Sequence, residues 1–260
     1  VRRYFIATRP WSFTMSFISV SVGTLMAAEN GPVSWFWFSL IAAGIICFHA
    51  AANLINDYFD TRYGVDREDS PTAKYRPQPL ISGMLSPRQL LMEAVLLLIL
   101  TCAIGFTTAF VRSLHVLWIG IVGLAACIFY TAGPVKFKYK AFGEFAVFMM
   151  WGPLMIEGAY AVQRQALSFK ALYISIPFGV LVALVLFANN MRDIAYDARQ
   201  NIKTISIMLG DRRSYLLFAG LIFLAYAYVL GMILAGVMSL WGLLIFISVP
   251  KAVSLLKTFR

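Results

Sequence analysis

The sequence predicts an all-α polytopic membrane protein, on three observations. Of 260 residues, 60% are hydrophobic and 13% charged, with a mean hydropathy of +0.77. A water-soluble domain of this length does not carry so much apolar surface on so little charge. Apolar runs recur at roughly 11–28, 33–56, 89–111, 114–133, 142–162, 171–190, 214–235 and 237–250. Most are near the ~20 residues that cross a bilayer as a helix. When the runs alternate across the membrane, 19 of the 22 Lys and Arg fall on the side of the N-terminus. Arg112, Arg164 and Lys170 fall opposite. Such asymmetry marks the basic side as cytoplasmic, and the cell membrane is the expected location. It makes the net charge of +10 topological, so no nucleic-acid partner is expected.

In order, Val1-Arg2-Arg3 leads through Arg9-Pro10 into the first run, with no cleavable signal peptide visible. The second run follows Pro32-Val33 and ends in Asn53-Leu54-Ile55-Asn56-Asp57-Tyr58-Phe59-Asp60. A polar loop from Thr61 to Arg88 precedes the third run. The fourth closes on Tyr130-Thr131-Ala132-Gly133-Pro134, where Gly-Pro breaks the helix before Lys136, Lys138 and Lys140. The sixth follows Ser168-Phe169-Lys170 and ends in Asn189-Asn190-Met191-Arg192-Asp193-Ile194-Ala195-Tyr196-Asp197. The eighth run is short: a helix completed late, or a ninth beyond residue 260, would both fit. Cys47, Cys102 and Cys127 lie in separate apolar runs, with the spacing of neither a zinc site nor a disulfide framework. They read as small buried hydrophobes.

All seven aspartates fall at the ends of the second and sixth runs: Asp57, Asp60, Asp66 and Asp69, then Asp193, Asp197 and Asp211. Acids at the mouths of apolar helices are costly unless compensated. An offset of 137 carries Asn53 to Asn190, Asn56 to Asp193 and Asp60 to Asp197. The chain therefore reads as one transmembrane domain, 1–260, with a parallel repeat of about 1–135 and 136–260. Its two four-helix halves enclose a central cavity under a cytoplasmic polar cap, and sites in repeat-built membrane proteins commonly lie between the halves. Asn53, Asn56, Asp57 and Asp60 share one helix face, as do Asn190, Asp193 and Asp197.

Two facing columns of oxygen donors suit Mg²⁺, two or more ions, since this hard cation takes carboxylate, amide and phosphate oxygens. The candidate metal ligands are Asn56, Asp57, Asp60, Asp66, Asp193 and Asp197. Of these Asp57, Asp60, Asp193 and Asp197 are the candidate catalytic residues. Nearby cations imply that a phosphorylated ligand completes an alternation of charge. The candidate substrate-binding set is Asn53, Asn56, Arg62, Lys74, Tyr130, Lys136, Asn190, Arg192, Tyr196 and Lys203. Glu157 reads as an interhelix hydrogen-bond partner. His49, one turn above Asn53, is equally readable as support for the site or as packing.

At 56–60 and 189–197 the chain resembles the UbiA superfamily of intramembrane aromatic prenyltransferases. The resemblance extends to Arg9-Pro10, to Arg76-Pro77-Gln78-Pro79-Leu80-Ile81-Ser82-Gly83, and to Lys203-Thr204 through Leu209-Gly210. It implies a nine-helix bundle whose cavity opens toward lipid, with Mg²⁺ and an isoprenyl diphosphate at the cap and an aromatic or lipid acceptor. The acid windows are similar to those of the menaquinone-pathway enzymes that prenylate 1,4-dihydroxy-2-naphthoate. The Arg-Pro-Gln-Pro stretch resembles other branches, so geranylgeranylglyceryl phosphate geranylgeranyltransferase of archaeal ether-lipid synthesis is the alternative. The family's third acid of the first window is replaced by Gly64, with Asp66 two residues later. A cation-coupled secondary transporter is the rival from another class. Transporter sites lie near the midplane, whereas these acids sit at one face.

Overall fold

Each apolar run becomes one helix because a backbone in lipid must satisfy its own N–H and C=O groups. The computed structural model describes residues 1–200 and 202–259; Arg260, counted above among the basic residues, lies outside them. Among the described residues eight spans result: α2 (Pro10–Ala28), α3 (Trp35–Arg62), α5 (Pro87–Val111), α6 (Leu114–Thr131), α7 (Gly143–Arg164), α8 (Phe169–Arg192), α10 (Ile205–Leu234, kinked at Gly210) and α11 (Leu240–Thr258, wound as a 3₁₀ helix over Leu240–Ser248). Short helices α1 (Arg2–Ala7), α4 (Pro71–Tyr75) and α9 (Ile194–Arg199) lie between them at one end of the bundle, the cap. Among the described residues there is no β-strand, and one isolated bridge joins Lys140 to Lys203.

Serines start several spans. Ser34, Ser86 and Ser168 each accept a backbone N–H of the first turn, from Trp37, Gln89 and Ala171, an N-cap that satisfies an otherwise orphaned donor. Glycine sets how closely the helices approach. A Cβ on Gly23 would stand 2.2 Å from the Ile156 carbonyl oxygen, and one on Gly179 would stand 2.6 Å from that of Phe148. The pairs α2–α7 and α7–α8 therefore touch backbone to backbone. Within α7, Met150–Leu154 is a π turn containing Pro153. Proline lacks an N–H and crowds the preceding turn, and the wider winding accommodates both.

The far end is closed by its own cations. Arg164 donates to the carbonyls of Ala27 (2.8 Å) and Gly31, and Arg112 to those of Val162 (2.9 Å) and Gln163 (3.1 Å). These satisfy the last carbonyls of α2 and α7. Lys170 pairs with Glu29 at 2.6 Å. Glu157 accepts the backbone N–H of Ser168 at 3.0 Å, an interhelix hydrogen bond that ties α7 to the start of α8. Exposed apolar side chains such as Leu96, Phe110 and Trp118 form the lipid-facing jacket.

Candidate active site

The first acid window is positioned by one uninterrupted helix. Asp57 and Asp60 occupy the last two turns of α3, and both are buried. Gly64, at φ +71°, then reverses the chain, so that the N–H groups of Val65 (2.8 Å) and Asp66 (3.1 Å) reach back to the Asp60 carbonyl. This left-handed helix cap favours glycine. It carries Asp66 onto the cavity wall beside Asp60, which explains why an acid two residues late still joins the window.

Distant cations meet this window. Asp57 receives Arg9, Arg76 (2.8 Å) and the amide of Gln78 (3.4 Å). Arg9 holds a left-handed backbone, φ +59°, a strained conformation that persists where its surroundings over-determine it. Asp60 receives the Lys138 ammonium at 2.5 Å and the Tyr139 hydroxyl. Asn56 accepts from Thr131 at 2.7 Å and Lys138 at 3.4 Å. Gln78 also donates to Asp66.

The second window departs from the single helical column read from its spacing. α8 ends at Arg192, Asp193 breaks the helix at φ −98°, ψ +6°, and α9 restarts at Ile194. At the break Arg192 folds onto Asp193 with two hydrogen bonds, 2.7 and 2.6 Å. The guanidinium also lies 4.3 Å from the Tyr75 ring centre. The window still converges on the first, because the Tyr196 hydroxyl donates to the Val65 carbonyl at 2.8 Å and ties α9 to the reversed loop.

Both windows open on one cavity of about 900 Å³. Asn53, Asn56, Asp60, Asp66, Tyr130, Asn190, Arg192, Asp193, Tyr196 and Asp197 all line it. Asn53 donates to the Thr8 carbonyl (2.9 Å) and Ser12 (3.3 Å), and Asn190 to Glu144 (2.9 Å). Below the acids the walls turn apolar and aromatic. His49 lies there between Ser12 (3.2 Å) and Ser16 (2.8 Å), with the Phe13 and Trp151 rings edge-on. Ser12 donates to the Arg9 carbonyl at 2.8 Å, so it accepts from His49 Nε2 while Nδ1 accepts from Ser16. The histidine therefore links α2 to α3.

Five expected residues lie off the cavity wall. Asp57 is fully buried off the cavity, and its oxygens are taken by Arg9, Arg76 and Gln78, so it anchors the cations that reach the cap. Arg62 is exposed and off the wall, because a residue two past Asp60 points about 200° around the helix. Lys74 is exposed on α4, where its neighbours Thr72, Tyr75 and Arg76 face the cavity instead. Lys136 stacks 3.7 Å from the Tyr63 ring centre. Lys203 is exposed, its backbone pairing with Tyr139 (3.2 Å) and Ala141 (2.8 Å). Sequence reasoning missed Arg9, Arg76, Gln78, Lys138 and Tyr139 as members of the cluster.

Asp66 is pushed up to about 6 by burial first and then by the charge of Asp60. Asp197 is pushed up to about 6 by burial and by Asp193. Raised acids on a shared wall are carboxylates short of compensating charge. Among the described residues, no three acidic, histidine or cysteine side chains converge on one point. The donor set therefore does not enclose a cation as a structural metal site does. It fits Mg²⁺, which is commonly held by one or two carboxylates plus water and substrate phosphates.

The family model for the UbiA prenyltransferase family matches residues 16–259. The chain belongs to that family. It is 32% identical over 261 residues to UbiA prenyltransferase domain-containing protein 1 of Xenopus tropicalis, covering 99% of this chain and 73% of that protein. It is 29% identical over 252 residues to 1,4-dihydroxy-2-naphthoate octaprenyltransferase of Bacillus subtilis, covering 97% and 80%. A UbiA homologue from Archaeoglobus fulgidus, solved with GPP and Mg²⁺, superposes with a TM-score of 0.72 at 15% identity, covering 99% of this chain and 86% of that one. The protein is a multi-pass membrane prenyltransferase, and the transporter reading falls.

Proposed function

We propose that this prenyltransferase moves an isoprenyl chain from its diphosphate to an aromatic acceptor of the dihydroxynaphthoate kind, in the formation of a quinone, menaquinone. The observation that carries this is the cavity itself. Asp60, Asp66, Asp193 and Asp197 share one mouth with Arg9, Arg76, Lys138 and Arg192, above apolar walls. A diphosphate carries charge of the sign that the four cations hold, and its hydrocarbon belongs below. The 29% identity to the Bacillus naphthoate enzyme over nearly the whole chain favours that acceptor class.

In this reading Arg9, Arg76, Lys138 and Arg192 grip the diphosphate. Asp60, Asp66, Asp193 and Asp197, with Asn56, hold Mg²⁺, which when bound neutralises charge developing on the leaving diphosphate. The allylic C–O bond breaks with both electrons leaving on diphosphate. An electron-rich carbon of the acceptor captures the allylic cation, and that carbon's proton is lost. Trp151, Tyr130 and Phe48 line the cavity, where their π faces stabilise the cation and their bulk excludes water. Asp57 acts at one remove, by fixing Arg9 and Arg76.

The charge asymmetry supports a cap at the cytoplasmic face of the cell membrane. In a background without native cysteines, Lys74→Cys should react with an impermeant thiol reagent only after cells are opened; labelling of intact cells would reverse the topology. The function itself is tested by incubating purified protein and Mg²⁺ with labelled prenyl diphosphates and a panel of acceptors, read by mass spectrometry. Prenylated naphthoate is the expected product. Prenylation of glyceryl phosphates alone would sink the aromatic reading.

A further inference from the structure

His49 lies within α3 on the wall of the cap cavity, and no step of the transfer uses it. Polar side chains inside a span are costly unless paired, and this one is paired on both sides. Its Nε2 lies 3.2 Å from the Ser12 hydroxyl and its Nδ1 2.8 Å from that of Ser16. The pairing continues at both ends. The Trp151 indole N–H reaches Ser16 at 3.1 Å, and the Ser12 hydroxyl reaches the Arg9 carbonyl at 2.8 Å. An indole nitrogen only donates and a carbonyl only accepts. The direction of every bond between them is therefore fixed: Trp151 to Ser16, Ser16 to Nδ1, Nε2–H to Ser12, Ser12 to Arg9. Asn53 adds a second donor to Ser12 at 3.3 Å, which leaves that hydroxyl no capacity for a substrate.

This chain of bonds ends on a strained residue. Arg9 has φ +59° and ψ +59°, although the ring of Pro10 favours extended backbone in the residue before it. Such a conformation persists only where its surroundings over-determine it. Ser12 supplies two of the restraints, one from its hydroxyl and one from its backbone N–H at 2.9 Å, both on the Arg9 carbonyl. The same Arg9 carries the guanidinium that meets Asp57 at the cap.

We propose that His49 is a positioning residue for the donor: through Ser12 it locks the Arg9 backbone in the left-handed form that presents the guanidinium to the diphosphate. The inference rests on the prenyl-diphosphate reading above. Without Nε2–H, Ser12 keeps only the bond from Asn53, and its hydroxyl is free to turn from the carbonyl. Arg9 then relaxes toward extended backbone and its side chain leaves the cavity mouth. A purely structural role, tying α2 to α3, would lower stability and leave affinity unchanged.

The test measures binding of geranyl thiodiphosphate, a non-hydrolysable analogue, with Mg²⁺ by calorimetry, alongside melting temperature in detergent. His49→Phe keeps an aromatic ring between Phe13 and Trp151 and removes both hydrogen bonds. His49→Gln places an amide N–H where Nε2 stands, whereas the shorter His49→Asn reaches only the place of Nδ1. Tyr160→Phe is the control: it removes the bond from Asn30 (3.1 Å) that joins the end of α2 to α7, and Tyr160 lies off the cavity. Affinity should fall by about tenfold in His49→Phe and His49→Asn, the scale of one hydrogen bond, and recover to within about threefold in His49→Gln. Tyr160→Phe should bind like the unmodified protein. Equal affinity in all three His49 variants, weakened or not, overturns the proposal. So does rescue by Asn instead of Gln, which would assign the role to Ser16 and Trp151. Weakening in Tyr160→Phe to match His49→Asn overturns it too, since binding would then track helix packing at large. If His49→Phe does not fold, the contrast between Gln and Asn decides. Failure of the unmodified protein to bind the analogue sinks the donor reading, and this inference with it.

Discussion

The two acid windows carry similar residues at matched positions, yet their surroundings differ. In the first, the two carboxylates on the helix meet groups brought from elsewhere in the chain: Arg9, Arg76 and Gln78 on Asp57, Lys138 and Tyr139 on Asp60. In the second, Asp193 is met by its immediate neighbour Arg192, and Asp197 is pushed up to about 6 by burial and Asp193. The first window is part of the protein's construction as well as its site. The second retains at Asp197 a carboxylate that its surroundings do not neutralise, as the first does only at Asp66, beyond the end of its helix. Matched spacing in a repeat thus does not imply matched energetics, because compensation comes from non-local chain.

Removing Asp57 should show the largest effect. Asp57→Asn leaves the buried Arg9 and Arg76 facing an uncharged amide, and breaking a buried pair on one side costs roughly 3–5 kcal/mol. The melting temperature in detergent should fall clearly; an unchanged value would dissolve the contrast between the windows. Next, Asp197→Asn should leave the melting temperature unchanged or raised, while turnover falls by about a hundredfold or more, the scale for losing a preorganised electrostatic group. Destabilisation matching that of Asp57→Asn would show the second window to be structural too.

The smallest effect is one of pH. Asp66 and Asp197 sit near 6 in the folded protein against about 4 when unfolded. Between those values the folded state holds more protons, so their contribution to stability is full below about 4 and is lost as pH rises through 6. Without added metal, melting temperatures from pH 4 to 7 should therefore fall more steeply for the unmodified protein than for Asp66→Asn/Asp197→Asn. Parallel profiles would mean that these acids are already compensated.

The spans were legible because bilayer thickness imposes a length that composition reveals directly. The oxygen donors were legible because acids are rare in apolar helices. The partnering cations were not. Sequence reasoning credits neighbours, so it chose Arg62, Lys74 and Lys203, whereas Asp57 and Asp60 draw Arg9, Arg76 and Lys138 from 48, 19 and 78 residues away. Spacing also implied one helical column over Asn190, Asp193 and Asp197. A single non-helical residue at Asp193 redirects that column, and helical periodicity does not register it.

The π turn at Met150–Leu154 has an evolutionary consequence. A turn that holds one residue more than an α turn is a place where a single-codon deletion need not break the helix. The turn would close to an α turn, and the residues beyond it would keep their present faces. Glu157 would stay on the Ser168 amide, and Gln163 on Ser34, which it holds at 2.9 and 3.0 Å. The change would fall on the wall around Met150, which lines the cap cavity. In any ordinary turn of α7 the same deletion would rotate everything beyond it by about 100°, so this stretch should accept the loss of one residue where the rest of the helix does not.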